Sequence, residues 1–174
     1  MYLRHMVISN DLASIMEIEK SSEETFWNKT DFKELVRIEN NISGKVIEIA
    51  DEIVGYMVYQ LDIEQIDLLN LTIKPKFRKM GYASVFLDQL KKKINPVRTS
   101  IRVEVRESNL PAQLLLKKNG FICTDILPFW FEDSYSDASF EEDDDYCDLD
   151  KLESGYLFYY RINDIRNMSK KQTN

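Results

Sequence analysis

The sequence is poor in the residues that most often announce a chemistry. In 174 residues there is one histidine, His5, and two cysteines, Cys123 and Cys147. The cysteines lack the short spacing of a metal site, so free thiols in a reducing compartment are expected. His5 has no neighbouring cluster, which removes most zinc sites and leaves any Ser-His-Asp triad dependent on this one imidazole. An ordinary strand residue is the simpler reading. Five glycines and four prolines exclude a collagenous or low-complexity chain. No apolar run approaches the roughly 20 residues needed to span a bilayer. Met1 to Asn10 lacks the apolar stretch of a signal peptide. A cytoplasmic protein without membrane attachment is expected.

What is present suits one globular domain. The composition is 44% hydrophobic and 30% charged, and a chain of this length buries about 70% of its unfolded surface. Charge is unevenly spread. Between Glu132 and Glu153 there are eleven acidic residues and one basic, Lys151, leaving 19 acidic and 22 basic elsewhere. The formal net charge of −7 therefore describes a mildly basic domain with one strongly acidic insertion at 132–153. We expect a single domain over residues 1–162 and a polar tail over 163–174.

Periodicity then orders the elements. Tyr2–Ile8 reads as a strand, and Leu12, Ile15 and Met16 recur at helical spacing after a cap at Asn10 or Asp11. Asp31 and Glu34 resemble a capping box ahead of a second helix carrying Phe32, Leu35 and Val36. Lys45–Ala50 and Ile53–Leu61 read as strands joined by Asp51-Glu52. Another runs from Gln65 to Ile73, stopped by Pro75. A third helix starts near Gly81, carries Ala83, Phe86, Leu87, Leu90 and Ile94, and ends before Asn95-Pro96. Ser100–Arg106 alternates, with Ile101, Val103 and Val105 on one side and Arg102, Glu104 and Arg106 on the other. Asn109 opens a fourth helix with Pro111 in its first turn and Gly120 past its end. Strand-like runs Phe121–Phe131 and Tyr156–Ile162 flank the acidic segment. The order predicts an α+β sheet with helices packed on it.

The most informative stretch runs from Leu69 to Ser84, where a strand enters a basic turn and then a helix. Free N–H groups at a helix start, with the positive end of its dipole, suit a phosphate or pyrophosphate. Gly81 lets a ligand approach the backbone closely, and Arg78 and Lys79 add positive charge. Neither the P-loop nor the dinucleotide fingerprint occurs, and a capped helix with solvated basic residues is the plain alternative. Further on come Glu104 on a strand, Asn109 at a helix start and an exit through Asn119-Gly120-Phe121. Singly, Glu104 reads as a surface partner of Arg102 and Arg106, and Asn109 as an N-cap.

Taken together, these motifs resemble the Gcn5-related N-acetyltransferases (GNAT). R-x-x-G-x-A at Arg78–Ala83 looks like the acetyl-CoA signature. The run from Glu104 to Phe121, with E-V-R-x-S-N and then G-F, looks like the RimI-type ribosomal-protein-alanine N-acetyltransferases. Phe26-Trp27 followed by Asp31-Phe32 is similar to that subfamily's early loop. The resemblance covers about Tyr2–Phe131 and resumes at Gly155–Ile162. It implies a mixed, mostly antiparallel sheet of about seven strands flanked by about four helices, and acetyl transfer from acetyl-CoA to a primary amine without metal. It further implies that backbone groups of Leu71, Thr72 and Ile73 pair with the pantetheine arm. Arg78, Lys79, Met80, Gly81, Tyr82, Ala83 and Ser84 would hold the pyrophosphate, Asn109 would contact the CoA arm, and Glu104 would accept the proton.

The acceptor amine sets how hard that proton transfer is. An α-amine with pKa about 7.7–8.0 is roughly a tenth deprotonated at neutral pH, whereas a lysine near 10.4 is about 0.04% free, a difference of roughly 3.4 kcal/mol. A protein N-terminus is therefore the favoured acceptor, ribosomal protein being the one the resemblance implies. A lysine or small amine is the alternative, and a CoA-binding regulatory module is an alternative of another class. Two departures stand out. Leu116 occupies the position where the family commonly has a proton-donating tyrosine; Tyr82, Tyr159 and Tyr160 are candidate substitutes. Glu141–Asp145 lies where the family has a short hairpin. That run reads as a solvated loop or as an electrostatic collar for basic acceptors, and it argues against nucleic acid as a ligand.

Overall fold

A computed structural model describes residues 1–22, 27–32, 41–132 and 152–162. Its strands are β1 (Tyr2–His5), β2 (Ile42–Ile49), β3 (Glu52–Leu61), β4 (Gln65–Ile73), β5 (Ser100–Arg106), β6 (Ile122–Glu132) and β7 (Leu152–Arg161). They form one sheet in the order β1-β2-β3-β4-β5-β7-β6. Neighbours are antiparallel except β4 and β5, which run parallel. Helices α1 (Ile8–Ser21), α2 (Tyr82–Lys91) and α3 (Leu110–Lys118) complete the order. Residues 29–32 are also helical and begin the expected second helix, whose remainder lies outside the described residues. The expected α+β architecture, with a mixed and mostly antiparallel sheet, is what the chain adopts.

Two apolar cores sit on opposite faces of this sheet. On one face Phe86, Leu87 and Leu90 of α2 and Leu116 of α3 pack on Ile101, Val103 and Val105, as the alternation in β5 requires. On the other, Ile15 and Ile18 of α1 pack with Phe32, Tyr56 and Val58. β3 serves both cores, so residues 53–59 are buried without a break, and an uninterrupted apolar run is how such a strand reads.

Several element ends differ from the sequence expectation, each for a local reason. α1 begins at Ile8 rather than after Asp11. Asp11 is not its cap but a buried partner of Arg4, whose Nη1 and Nη2 donate to it at 2.8 and 2.9 Å. The first strand is correspondingly short. A capping box lies at Asn28 and Asp31, with Asp31 N–H donating to Asn28 Oδ1 at 3.2 Å and Asn28 N–H to Asp31 Oδ2 at 2.6 Å; Glu34, expected to partner Asp31, lies outside the described residues. The β2–β3 turn is Ala50-Asp51, both at positive φ (47° and 62°), the twist that two-residue hairpins favour. α2 stops at Lys91, before Asn95-Pro96. β7 begins at Leu152, so Glu132 and Glu153 are strand residues and the insertion is shorter than its acidic run. Its centre, Glu141–Asp145, Cys147 and the tail from Asn163 fall outside the described residues.

Candidate active site

β4 and β5 pair only from Gln65 with Ser100 to Leu68 with Val103, yet β4 runs on to Ile73 and β5 to Arg106. Beyond Leu68 the two strands part. At that level the β3–β4 register slips: Tyr59 pairs with Leu68 and Val58 with Asn70, leaving Leu69 unpaired. A one-residue bulge bends the strand that carries it, which accounts for the divergence. Lys74 N–H donates to Val54 O at 2.9 Å. The two-residue alternation of an antiparallel ladder then directs the peptide groups of Thr72 to β3 and those of Leu71 and Ile73 into the gap. Of Leu71, Thr72 and Ile73, Leu71 and Ile73 thus turn their peptide groups to the gap, the Ile73 carbonyl there accepting from Arg78 Nε.

The gap leads into the basic turn. Gly81 caps α2 in the left-handed region at φ 91°, without a side-chain hydrogen bond. A Cβ placed there meets no atom within 4 Å. The N–H groups of Tyr82, Ala83 and Ser84 have no acceptor one turn back and face that open space with the positive end of the helix dipole. Lys79, itself at φ 62°, and Met80 are exposed beside it. A helix start of this kind, beside a basic residue, is suited to a diphosphate. The Arg78 Nε donates to Ile73 O at 3.1 Å and its Nη2 to Ser22 Oγ at 3.4 Å, bracing the turn against the end of α1. Ser84 Oγ accepts from Asn119 Nδ2 at 3.1 Å, tying α2 to the end of α3. Asn109 caps α3, accepting from Ala112 N–H at 3.0 Å.

Glu104 is the first β5 residue past the last β4 partner, so it stands where the strands separate. Alternation turns it away from Val103 and Val105, toward the face that carries α1. Its side chain is 24% exposed and its Oε1 is paired with Arg102. Its Oε2 accepts the indole N–H of Trp130 at 2.7 Å. Arg102 also donates to Asp67 Oδ1 at 3.3 Å. Burial pushes the Asp67 carboxyl above the usual carboxylate range, against the pull of Gln65 and Arg102. Arg106 pairs with Glu153 at 3.0 Å and so joins β5 to β7.

Leu116 is buried in the apolar core and has no proton to offer. Tyr159 and Tyr160 pair with Arg102 and Ile101, at the closed end of β5, where burial raises the Tyr160 phenol. The Tyr82 ring meets Phe77 edge-on at 6.5 Å. A fourth phenol, Tyr156, stands opposite Val105 at the open end. Its hydroxyl donates to Glu107 Oε1 at 3.4 Å, and the Glu107 charge holds its pKa above the ordinary phenol value. Sequence reading missed Trp130 and Asp67, which reach Glu104 directly and through Arg102, and Tyr156, which packs on the Val105 side, since strand pairing alone places all three.

No helix among the described residues is long and apolar enough to cross a membrane. A statistical profile of the acetyltransferase (GNAT) family matches residues 12–121. A [ribosomal protein bS18]-alanine N-acetyltransferase of Haemophilus ducreyi is 28% identical over 123 residues, covering 66% of this chain and 79% of its own. The crystal structure of the ribosomal-protein-S18-alanine N-acetyltransferase from Escherichia coli superposes with a TM-score of 0.72 at 18% identity, covering 92% and 93% of the two chains. Arabidopsis thaliana NAA60 in complex with acetyl-CoA gives 0.71 at 18% identity, covering 93% and 98%. The parted strands, the open helix start and these likenesses agree, and the chain belongs to the GNAT family of acetyltransferases.

Proposed function

We propose that this protein transfers the acetyl group of acetyl-CoA to the α-amine at the N-terminus of a protein, a ribosomal protein being the substrate class favoured by the Haemophilus ducreyi relative. The thioester supplies an electrophilic acyl carbon. Leu71 and Ile73 hold the arm through their peptide groups, and the N–H groups of residues 82–84 with Lys79 hold the diphosphate. Arg78 and Ser84 act by bracing the turn, and Asn109 by fixing the start of α3 beside the arm. The acceptor enters from the α1 face, where Glu104 takes its proton directly or through a water.

The observation that carries this reading is the position of Glu104 at the point where β4 and β5 part. A carboxylate there meets an amine approaching from one face while the thioester lies in the gap. Its task is lighter by roughly 3.4 kcal/mol for an α-amine than for a lysine, which favours an N-terminus. Residues 1–162 act as one catalytic domain, with the acidic run Glu141–Asp145 drawing basic acceptors toward it. The test is mass spectrometry of lysine-containing peptides, with free or blocked N-termini, after incubation with acetyl-CoA. Acetyl on the free α-amine supports the reading. Acetyl on lysine in both sets contradicts it.

Leu116 favours a second reading, a CoA-binding regulatory module without useful turnover. It requires that acetyl-CoA raise Tm while no amine releases CoA.

A further inference from the structure

Both oxygens of Glu104 are engaged, but by partners of different kinds. Arg102 is held in the sheet between Asp67 and Glu104, opposite Tyr159 in β7. Trp130 is not. β6 pairs with β7 through Leu127 with Gly155 and resumes only at Phe131 with Glu153, so three residues, 128–130, stand against Ser154 alone. Phe129 within this bulge has φ 53°, and Trp130 is 53% exposed. The indole nitrogen can donate but cannot accept. While its N–H occupies Oε2, it can neither receive nor relay a proton there.

Resting on the reading of Glu104 as proton acceptor, we propose that Trp130 is the displaceable partner of that carboxylate. Its N–H holds Oε2 until the acceptor amine, or the water relaying its proton, takes its place. Arg102 stays on Oε1 and fixes the orientation. In the reaction the amine N–H bond breaks and an O–H bond forms at Oε2. The C–N bond forms as the thioester C–S bond breaks, and the sulfur leaves as thiolate. Trp130 is therefore a positioning residue that yields to substrate, and the arrangement couples acceptor entry to release of the base.

Among the described residues, the charged and titratable groups on the Glu104 face include Asp67 of β4, Arg102 and Arg106 of β5, Asp125 of β6, and Glu153, Tyr159 and Arg161 of β7, by strand register, with Tyr56 of β3 and Glu19 of α1 on the same side of the sheet. None of these changes in Trp130→Phe, which keeps a ring and removes only the donor. With no N–H to displace from Oε2, Trp130→Phe is expected to lower KM for the acceptor by about fivefold and to leave kcat in place. An unchanged KM, or a kcat that falls, overturns the proposal.

Fluorescence gives a second readout that needs no turnover. Trp27→Phe leaves Trp130 as the remaining tryptophan of the two in the chain. Titrating that variant, saturated with CoA, with a tryptophan-free acceptor peptide should change its emission; saturation without a change overturns the displacement. If Glu104→Gln keeps wild-type kcat, the base assignment itself fails. If Glu104→Gln is inactive while Trp130→Phe keeps wild-type kinetics and the emission of Trp27→Phe does not change, only the displacement fails.

Discussion

The two halves of the β4–β5 pair are built from the same kind of sequence and do opposite things. From Gln65 to Leu68 the strands close on each other, and Ile66 and Ile101 are fully buried. From Leu69 to Ile73 they diverge, and the peptide groups of Leu71 and Ile73 turn into the gap. One slipped residue, Leu69, separates a half that holds the fold together from a half that leaves hydrogen-bonding capacity for a ligand. A sheet can thus carry a binding slot without any special side chain, because an unpaired peptide group is itself a strong donor and acceptor.

This contrast is open to direct attack. In the open half, Glu104→Gln is expected to lower kcat by about 10²–10⁴-fold with little change in Tm, measured by steady-state kinetics beside thermal melts. In the closed half, Ile101→Ala should do the reverse, costing about 2–5 kcal/mol of stability in denaturant titration, while the folded fraction keeps its affinity for CoA. Gly81→Ala falls between. Its methyl meets no protein atom, but the left-handed backbone costs about 1–2 kcal/mol, and calorimetry should show weaker CoA binding because the methyl enters the phosphate's space.

An effect on stability alone lies far from the gap. Burial pulls the Asp11 carboxyl up, but the Arg4 hydrogen bonds and the Val7 N–H outweigh it and leave its pKa below the ordinary value. A depressed folded-state pKa stabilises above the unfolded value, near pH 4, and that contribution is lost as pH falls through the folded value. Asp11→Asn should therefore cost about 2 kcal/mol at pH 7, with the gap to wild type closing below about pH 4 in acid titrations of stability.

Much of this was legible in the residues. β4 and β5 have the ends that alternation and Pro75 imply, and Gly81 marks the turn because an open helix start in a tight basic loop calls for a residue tolerant of positive φ. Asn109 caps α3 as its side chain suggests. The parting of the strands was not legible. Nothing local in Leu68-Leu69-Asn70 distinguishes a paired residue from a slipped one, since the bulge depends on the register with β3. Asp11 looked like a cap because Arg4, its true partner, lies across a strand-to-helix turn. Trp130 looked like one more strand aromatic, because a three-residue bulge against β7 is a property of two distant segments.

Residue-resolved amide hydrogen exchange with and without CoA tests the central claim most directly. The account predicts that CoA slows exchange at Leu71 and Ile73 and at Tyr82, Ala83 and Ser84, while Thr72 and the paired residues Gln65–Leu68 stay as they were. Unchanged protection at Leu71 and Ile73 in the CoA-saturated protein would contradict it.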